Sequence, residues 1–189
     1  MSAPLKTAVA LQSRVDGDAI FLRPLCSEDV NATYLRWLTD PETNQFMETR
    51  HRSQTMQTIR EFVERVNARD DEFLFGICLK KDGRHIGNIK VGPVKQNHSV
   101  ADVSLFIGER DCWGQGLATD AIRAVSRFAL TSMSIDKLNA VAYAANRGSI
   151  GAFLRAGYVQ EGLRRKHYIL DGGLADVAEF GLCAEDVKA

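Results

Sequence analysis

The chain has no apolar run approaching the roughly 20 residues of a membrane-spanning helix, which excludes a helical membrane protein. It has no excess of charge of either sign: 24 Lys and Arg balance 24 Asp and Glu. The basic surplus of a nucleic-acid-binding surface is therefore missing. Cysteine is sparse. Cys26, Cys78, Cys112 and Cys183 stand far apart, with no metal-ligand spacing, so no metal site is expected. Three of them lie in or beside apolar runs and read as reduced, mostly buried thiols. A signal-peptide pattern is also lacking, since Ala8–Leu11 is only a brief apolar run. A cytoplasmic protein is the expectation. There is no internal repeat, linker or low-complexity tract. The 189 residues read as a lead-in over 1–17, frayed or an edge strand before the Asp16-Gly17 turn, and one domain over 18–186.

What the chain does have is centred on residues 103–129. Val103 to Ile107 is a short apolar run rich in β-formers and predicts a buried strand. Gly114 and Gly116 punctuate the loop that follows. Ala118, Ala121, Ile122, Val125, Phe128 and Ala129 then recur at helical spacing and predict a long amphipathic helix. A helix entered through glycine offers unpaired N–H groups and the positive end of a dipole, which suits a pyrophosphate. The loop is not a dinucleotide fingerprint, because Thr119 stands where a third glycine would be needed. Nor does a Gly-Lys-Ser/Thr follow, as a nucleotidase phosphate loop requires.

The rest of the chain alternates strands and helices. Ala19 to Pro24 predicts a first strand, and Ser27 an N-cap for a helix carrying Val30, Tyr34, Leu35, Trp37 and Leu38, closed by Asp40-Pro41. Residues 43–52 are irregular. Ser53 or Thr55 caps the next helix, whose buried stripe is Ile59, Phe62, Val63 and Val66. Phe73–Leu79 and His85–Val91 predict a hairpin around Lys81–Gly83, and Pro93 to Ser99 connects to the strand at 100–107. Lys137 to Ala144 is a further strand, and Asn146 to Ser149 a turn and cap. The short helix after it turns Ile150, Phe153 and Leu154 inward and ends at Gly157. Two strand-like segments, 158–164 and 167–170, turn at Asp171–Gly173 and return over 177–182.

Trp113-Gly114-Gln115-Gly116-Leu117-Ala118 resembles the pyrophosphate loop of the GNAT superfamily of acyl-CoA-dependent N-acyltransferases, with Trp113 where Gln or Arg is usual. Asn146-x-x-Ser149 and Phe153 to Tyr158 resemble two further motifs of that family, in the expected order. The likeness spans roughly residues 19 to 183. The tryptophan resembles the RimJ/RimL-like branch, which contains ribosomal-protein, polyamine and amino-sugar N-acetyltransferases. The resemblance implies an α/β (α+β) fold: a central mixed, mostly antiparallel twisted sheet of about six or seven strands, flanked by about four helices. The fourth and fifth strands of that sheet would splay to hold acetyl-CoA as cosubstrate.

By the same resemblance, backbone groups of Leu105, Phe106 and Ile107 face the pantetheine arm, and one of their N–H groups polarises the acetyl carbonyl. Trp113 and the amides of Gly114, Gln115, Gly116, Leu117, Ala118 and Thr119 cradle the pyrophosphate. Asn146 bonds the cofactor arm, and Phe153 packs against its thiol end. Phe153 departs from the tyrosine that many relatives use as general acid, so Ser149 becomes the candidate proton donor. Ser149 also reads as a helix cap. Glu48, Asp102, Glu109 and His85 are candidates for the base, and each also reads as a surface group; His98 reads as exposed.

Tyr34 and Trp37 fit either an acceptor cleft or, preferentially, a core stripe. The partner is a small-molecule or peptide amine, with no nucleic acid and no membrane, and the chain is a monomer or homodimer. Arg36, Arg50, Arg52 and Arg84 favour an anionic acceptor such as a nucleotide-linked amino sugar. A protein N-terminus and a polyamine stay open. So does a non-catalytic acyl-CoA-binding regulatory module, because Phe153 has no proton to give.

Overall fold

The computed structural model describes residues 14–187. The first part of the expected lead-in, residues 1–13, lies outside the described residues. The described chain runs β1 (Val15–Asp16), β2 (Ile20–Pro24), α1 (Ala32–Thr39), α2 (Pro41–Asn44), α3 (Met56–Asn67), β3 (Phe73–Leu79), β4 (His85–Lys95) and β5 (Val100–Ile107). It continues through α4 (Leu117–Ser132), β6 (Lys137–Tyr143), α5 (Arg147–Arg155), β7 (Val159–Leu170), β8 (Gly173–Cys183) and α6 (Ala184–Val187). One sheet holds all eight strands, in the order β1-β2-β3-β4-β5-β6-β8-β7. Every neighbouring pair is antiparallel except β5 and β6. The strand count exceeds the expected six or seven because Val15–Asp16 adds an edge strand. The helix count exceeds four because α2 and α6 are single four-residue turns.

Several elements differ from the sequence reading, and the helix starts do so for capping reasons. Ser27 is not a helix cap. Ser27–Asp29 forms a 3-10 turn, and α1 starts only after Asn31, whose side chain accepts the Thr33 and Tyr34 amides. Asp40 ends α1 and at once caps α2, where Pro41 sits at the first helical position that needs no N–H. Thr55, not Ser53, caps α3, in a reciprocal pair with Thr58. The expected connection after Pro93 is strand as far as Lys95, past a register shift between Val91 and Val94. Leu154 points outward and is 46% exposed, while Ala152 and Phe153 take the buried face of α5.

The core forms two apolar clusters. The larger packs α4, through Ala121, Ile122, Val125 and Ala129, against the sheet residues Ile20, Phe75, Ile89 and Val103. The smaller places Trp37 and Leu38 of α1 with Ile59 and Val63 of α3 over Leu74. Asp120, in the first turn of α4, accepts the Asp18, Ala19 and Ile20 amides at 2.7, 2.8 and 3.1 Å. That carboxylate ties the start of α4 to the β1–β2 turn. A Cβ on Gly17 would lie 2.4 Å from it, so only glycine fits the approach.

Arg23 on β2 clasps Asp29 at 2.5 and 2.7 Å, locking the first strand to the 3-10 turn. Burial alone would raise the Asp29 pKa, but bonds from Arg23 and the Cys26 amide outweigh it and hold the group at about 2. A carboxylate held below its unfolded value of about 3.9 stabilises the fold fully above that pH. The contribution disappears as pH falls through the folded value. Asp29→Asn is therefore expected to cost about 2 kcal/mol at neutral pH, after discounting for the partial exposure of Arg23. In urea unfolding, the difference from wild type should close between about pH 4 and about pH 2. A constant difference across that range would mean that the pair does not set the shift.

Candidate active site

The two strands expected to splay are β5 and β6. They pair only over Val100 to Asp102 with Lys137 to Asn139. Beyond that, β5 stays with β4 as far as Ile107, and β6 stays with β8 as far as Tyr143. The sheet is thus divided into two halves that diverge.

Which backbone groups face the gap follows from the register. The Gly108 N–H donates to Ile86 O at 2.7 Å, and Asn88 pairs with Phe106. Because N–H directions alternate along a strand, Phe106 is committed to β4, while Leu105 and Ile107 turn their backbone groups toward the gap. Of the three expected positions, Leu105 and Ile107 offer amides there and Phe106 offers its side chain. The Ile107 carbonyl is taken by the Trp113 indole N–H at 2.8 Å. Trp113 therefore holds the loop against the end of β5.

The loop after β5 is open. Gly114 and Gly116 have φ of 73° and 78°, and a Cβ on either would meet nothing within 4 Å. Gly116 is the N-cap of α4 and carries no side-chain cap. Among the described residues, the amides of Gly114, Gln115, Gly116, Leu117, Ala118 and Thr119 have no recorded partner. Thr119 Oγ1 is likewise buried and unpartnered. Gln115 turns its side chain back onto the Asp111 carbonyl. This cluster of free donors at a helix N-terminus fits an anionic pyrophosphate.

A cavity of about 780 Å³ runs from the gap to the α1–α3 wall. Ser104, Leu105 and Phe106 of β5 line one side, and Val141, Ala142 and Tyr143 of β6 the other, with Asn146, Ser149 and Phe153 of α5. Asn146, not Ser149, caps α5: its Oδ1 accepts the Ser149 N–H at 3.0 Å. Ser149 is half-buried, and its hydroxyl has no recorded partner among the described residues. Phe153 is 2% exposed, stacked on Phe180 and edge-on to Tyr158.

The four carboxylate and imidazole candidates separate cleanly. Glu48 lines the cavity and accepts the Tyr143 hydroxyl at 2.6 Å. Burial raises the Tyr143 pKa, and Arg50, whose guanidinium donates to the same hydroxyl at 2.8 Å, opposes the rise. Asp102 sits where β5 is still paired to β6. Glu109 is held by Arg36 at 2.5 Å and by the Trp37 indole N–H at 2.8 Å. His85 is half-buried behind the cavity, and burial lowers its pKa.

The arginines separate as well. Arg36 pairs with Glu109, Arg84 with Asp111, and Arg50 is engaged in the Tyr143 network, where it also reaches Ile169 O. Arg52 alone of the four lines the cavity, joined there by Lys90 and by Glu61 and Arg65, which the sequence places on a solvated helix face rather than at a site. Lys90 is paired to Glu72. Trp37 is core, 1% exposed, whereas Tyr34, 3% exposed, lines the cavity. Asn88 was also missed as a site residue. It is a buried amide at the centre of a strand buried on both faces, and that polar position among Ile86, Ile89 and Val91 is the signal that would have found it.

Fold and cavity together define an α/β protein with a divided sheet and a ligand-sized cleft at the division. The acetyltransferase (GNAT) domain profile matches residues 19–159, and the chain belongs to that family: it is a GNAT acetyltransferase. An uncharacterised N-acetyltransferase, p20, of Bacillus licheniformis is 26% identical over 168 residues, covering 87% of this chain and 93% of its own. Among solved structures, Mycobacterium smegmatis RimJ in complex with CoA-disulfide superposes with a TM-score of 0.82 at 18% identity, over 95% of this chain and 91% of that one. Spermidine N-acetyltransferase from Vibrio cholerae, in complex with CoA and spermine, gives 0.81 at 16% identity, over 90% and 99%. These two likenesses are of fold.

Gly108 ends the β5 wall. A Cβ there would lie 2.1 Å from the Trp37 ring, which is itself tied to Glu109. Gly108→Ala should cost about 1–3 kcal/mol in denaturant unfolding by overpacking that contact. An unchanged midpoint would show that the indole is free to move.

Proposed function

We propose that the chain transfers the acetyl group of acetyl-CoA to a primary amine by direct attack in a ternary complex, in the cytoplasm and within the RimJ/RimL-like branch. The observation that carries this reading is one continuous cavity, which joins the β5–β6 gap below the glycine loop to a chamber under α1 and α3. Bound acetyl-CoA supplies an activated thioester. The amides of Gly114 to Thr119 hold its pyrophosphate, with Trp113 fixing the loop. Leu105 and Ile107 hydrogen-bond the pantetheine arm, and one of their N–H groups polarises the acetyl carbonyl. Asn146 positions the arm through its free Nδ2 group, and Phe153 excludes water from the thiol end. Glu48 takes a proton from the acceptor's ammonium group, the neutral amine so freed attacks the thioester carbonyl, and Ser149 gives a proton to the departing thiolate.

The acceptor chamber is not an acidic one. Arg52 and Arg65 share its lining with Glu48 and Glu61, while Lys90 is neutralised by Glu72. That balance disfavours a polycation, which gains most from carboxylates alone, and favours an amine on a molecule that also carries anionic or polar groups, such as a nucleotide-linked amino sugar. The loss of Arg36, Arg50 and Arg84 to ion pairs and structural bonds leaves Arg52 and Arg65 as the phosphate partners.

Acetyl-CoA at about 100 times its dissociation constant should add roughly 2.7 kcal/mol of stability, a rise of a few degrees in unfolding midpoint, and Gly116→Glu should abolish the rise. No shift at saturation would refute the cosubstrate assignment. Glu48→Gln is expected to lower kcat/KM on the order of 10²-fold in a thiol-release assay, and Ser149→Ala to lower kcat by a similar factor. Both should keep the acetyl-CoA stabilisation. Full activity in Glu48→Gln would hand the base role to water, and an amine-independent absence of thiol release would mark a binding module instead.

A further inference from the structure

Asn88 occupies the middle of β4 opposite Phe106, is 3% exposed, and lines the acceptor chamber. Its Oδ1 lies 2.8 Å from His85 Nε2, and the same nitrogen lies 2.9 Å from the Gly87 carbonyl. A carbonyl only accepts, so Nε2 carries the proton and Asn88 must present its oxygen to it. The orientation of the amide is thereby set. His85 cannot swing away, because Trp37 packs edge-on to it at 5.0 Å and Tyr34 at 6.4 Å. The Nδ2 group of Asn88 is left buried with no hydrogen-bond partner among the described residues. Beside it stands Tyr34, whose pKa burial raises and Asn88 opposes. If Nδ2 turns onto the Tyr34 oxygen, the phenol must give its own proton outward. Either way this corner offers a donor, and around it the wall is apolar: Leu38, Ile59, Leu74 and Phe106.

We propose that Asn88 and Tyr34 form a specificity-determining donor, held in place by His85, which selects acceptor amines carrying a hydroxyl or carbonyl oxygen near the amino group. This rests on the acyl-transfer reading of the cavity and narrows its substrate class. An alkyl amine or polyamine leaves the buried donor unanswered, and sites built around such a group discriminate steeply against ligands lacking the match.

Matched amines test this by calorimetric binding in the presence of excess CoA, where no turnover occurs: glucosamine against cyclohexylamine, and alaninamide against sec-butylamine. The oxygen-bearing member of at least one pair should bind about tenfold or more tightly. Asn88→Leu and Tyr34→Phe should each shrink that ratio to within about threefold. The second variant deletes one hydroxyl and guards against misfolding in the first. Equal binding within both pairs, absence of binding included, overturns the assignment, as does a preference that survives both variants. Acetyl-CoA stabilisation measured on the same samples separates the two readings. If it is lost, the acyl-transfer reading falls; if it persists without an oxygen preference, only the Asn88–Tyr34 assignment falls.

Discussion

Everything at the site depends on the parting of β5 from β6. A sheet normally consumes both rows of backbone groups on an internal strand, and burying an unpaired row is costly. Here β5 is anchored by seven residue pairs with β4, and β6 by seven with β8. Each half is therefore stable without the other beyond Asp102 and Asn139. The gap exposes the amides of Leu105 and Ile107 as a strand edge waiting for an extended partner, the geometry of strand addition. The glycine loop lies at one end of that edge and the cavity under α1 and α3 at the other.

The chamber's chemistry is decided by which polar groups are already spent. Glu109 has its bonds from Arg36 and Trp37, Lys90 has Glu72, and Arg84 has Asp111. What remains includes Glu48 backed by Tyr143 and Arg50, Glu61, the Ser149 hydroxyl, the Asn146 and Asn88 amides, and the guanidinium groups of Arg52 and Arg65. Arg50 is instructive, because it looks in sequence like a ligand for an anion and is instead a clamp joining the 3-10 turn at Glu48–His51 to Tyr143 and Ile169.

Much of the fold was legible because local signals agreed with the final structure. The apolar strands at 73–79 and 100–107, the amphipathic stripe of α4 and the glycine punctuation before it all stand where periodicity and turn chemistry put them. The 164–167 break between two strand-like segments is a register shift inside the single strand β7. Helix starts were less legible. Ser27 and Asn31 are both good caps; Ser27 opens a 3-10 turn in which Asp29 is held by Arg23 and the Cys26 amide, and Asn31 caps the helix. Leu154 was misread because α5 is only nine residues long and its buried stripe is narrow, taken by Ala152 and Phe153.

The sequence by itself determined the element order, the loop with its two glycines, and the absence of a tyrosine at Phe153, since these depend on local conformation and residue chemistry alone. Tertiary structure decided which candidates reach the cavity and the gap. Glu48 rather than Asp102, Glu109 or His85 reaches the cavity, Leu105 and Ile107 rather than Phe106 present amides to the gap, and Asn88 is left with an unanswered donor. Each of those outcomes turns on partners drawn from distant parts of the chain. A hydrogen bond between residues 48 and 143, or a strand register between 88 and 106, leaves no trace in either local stretch.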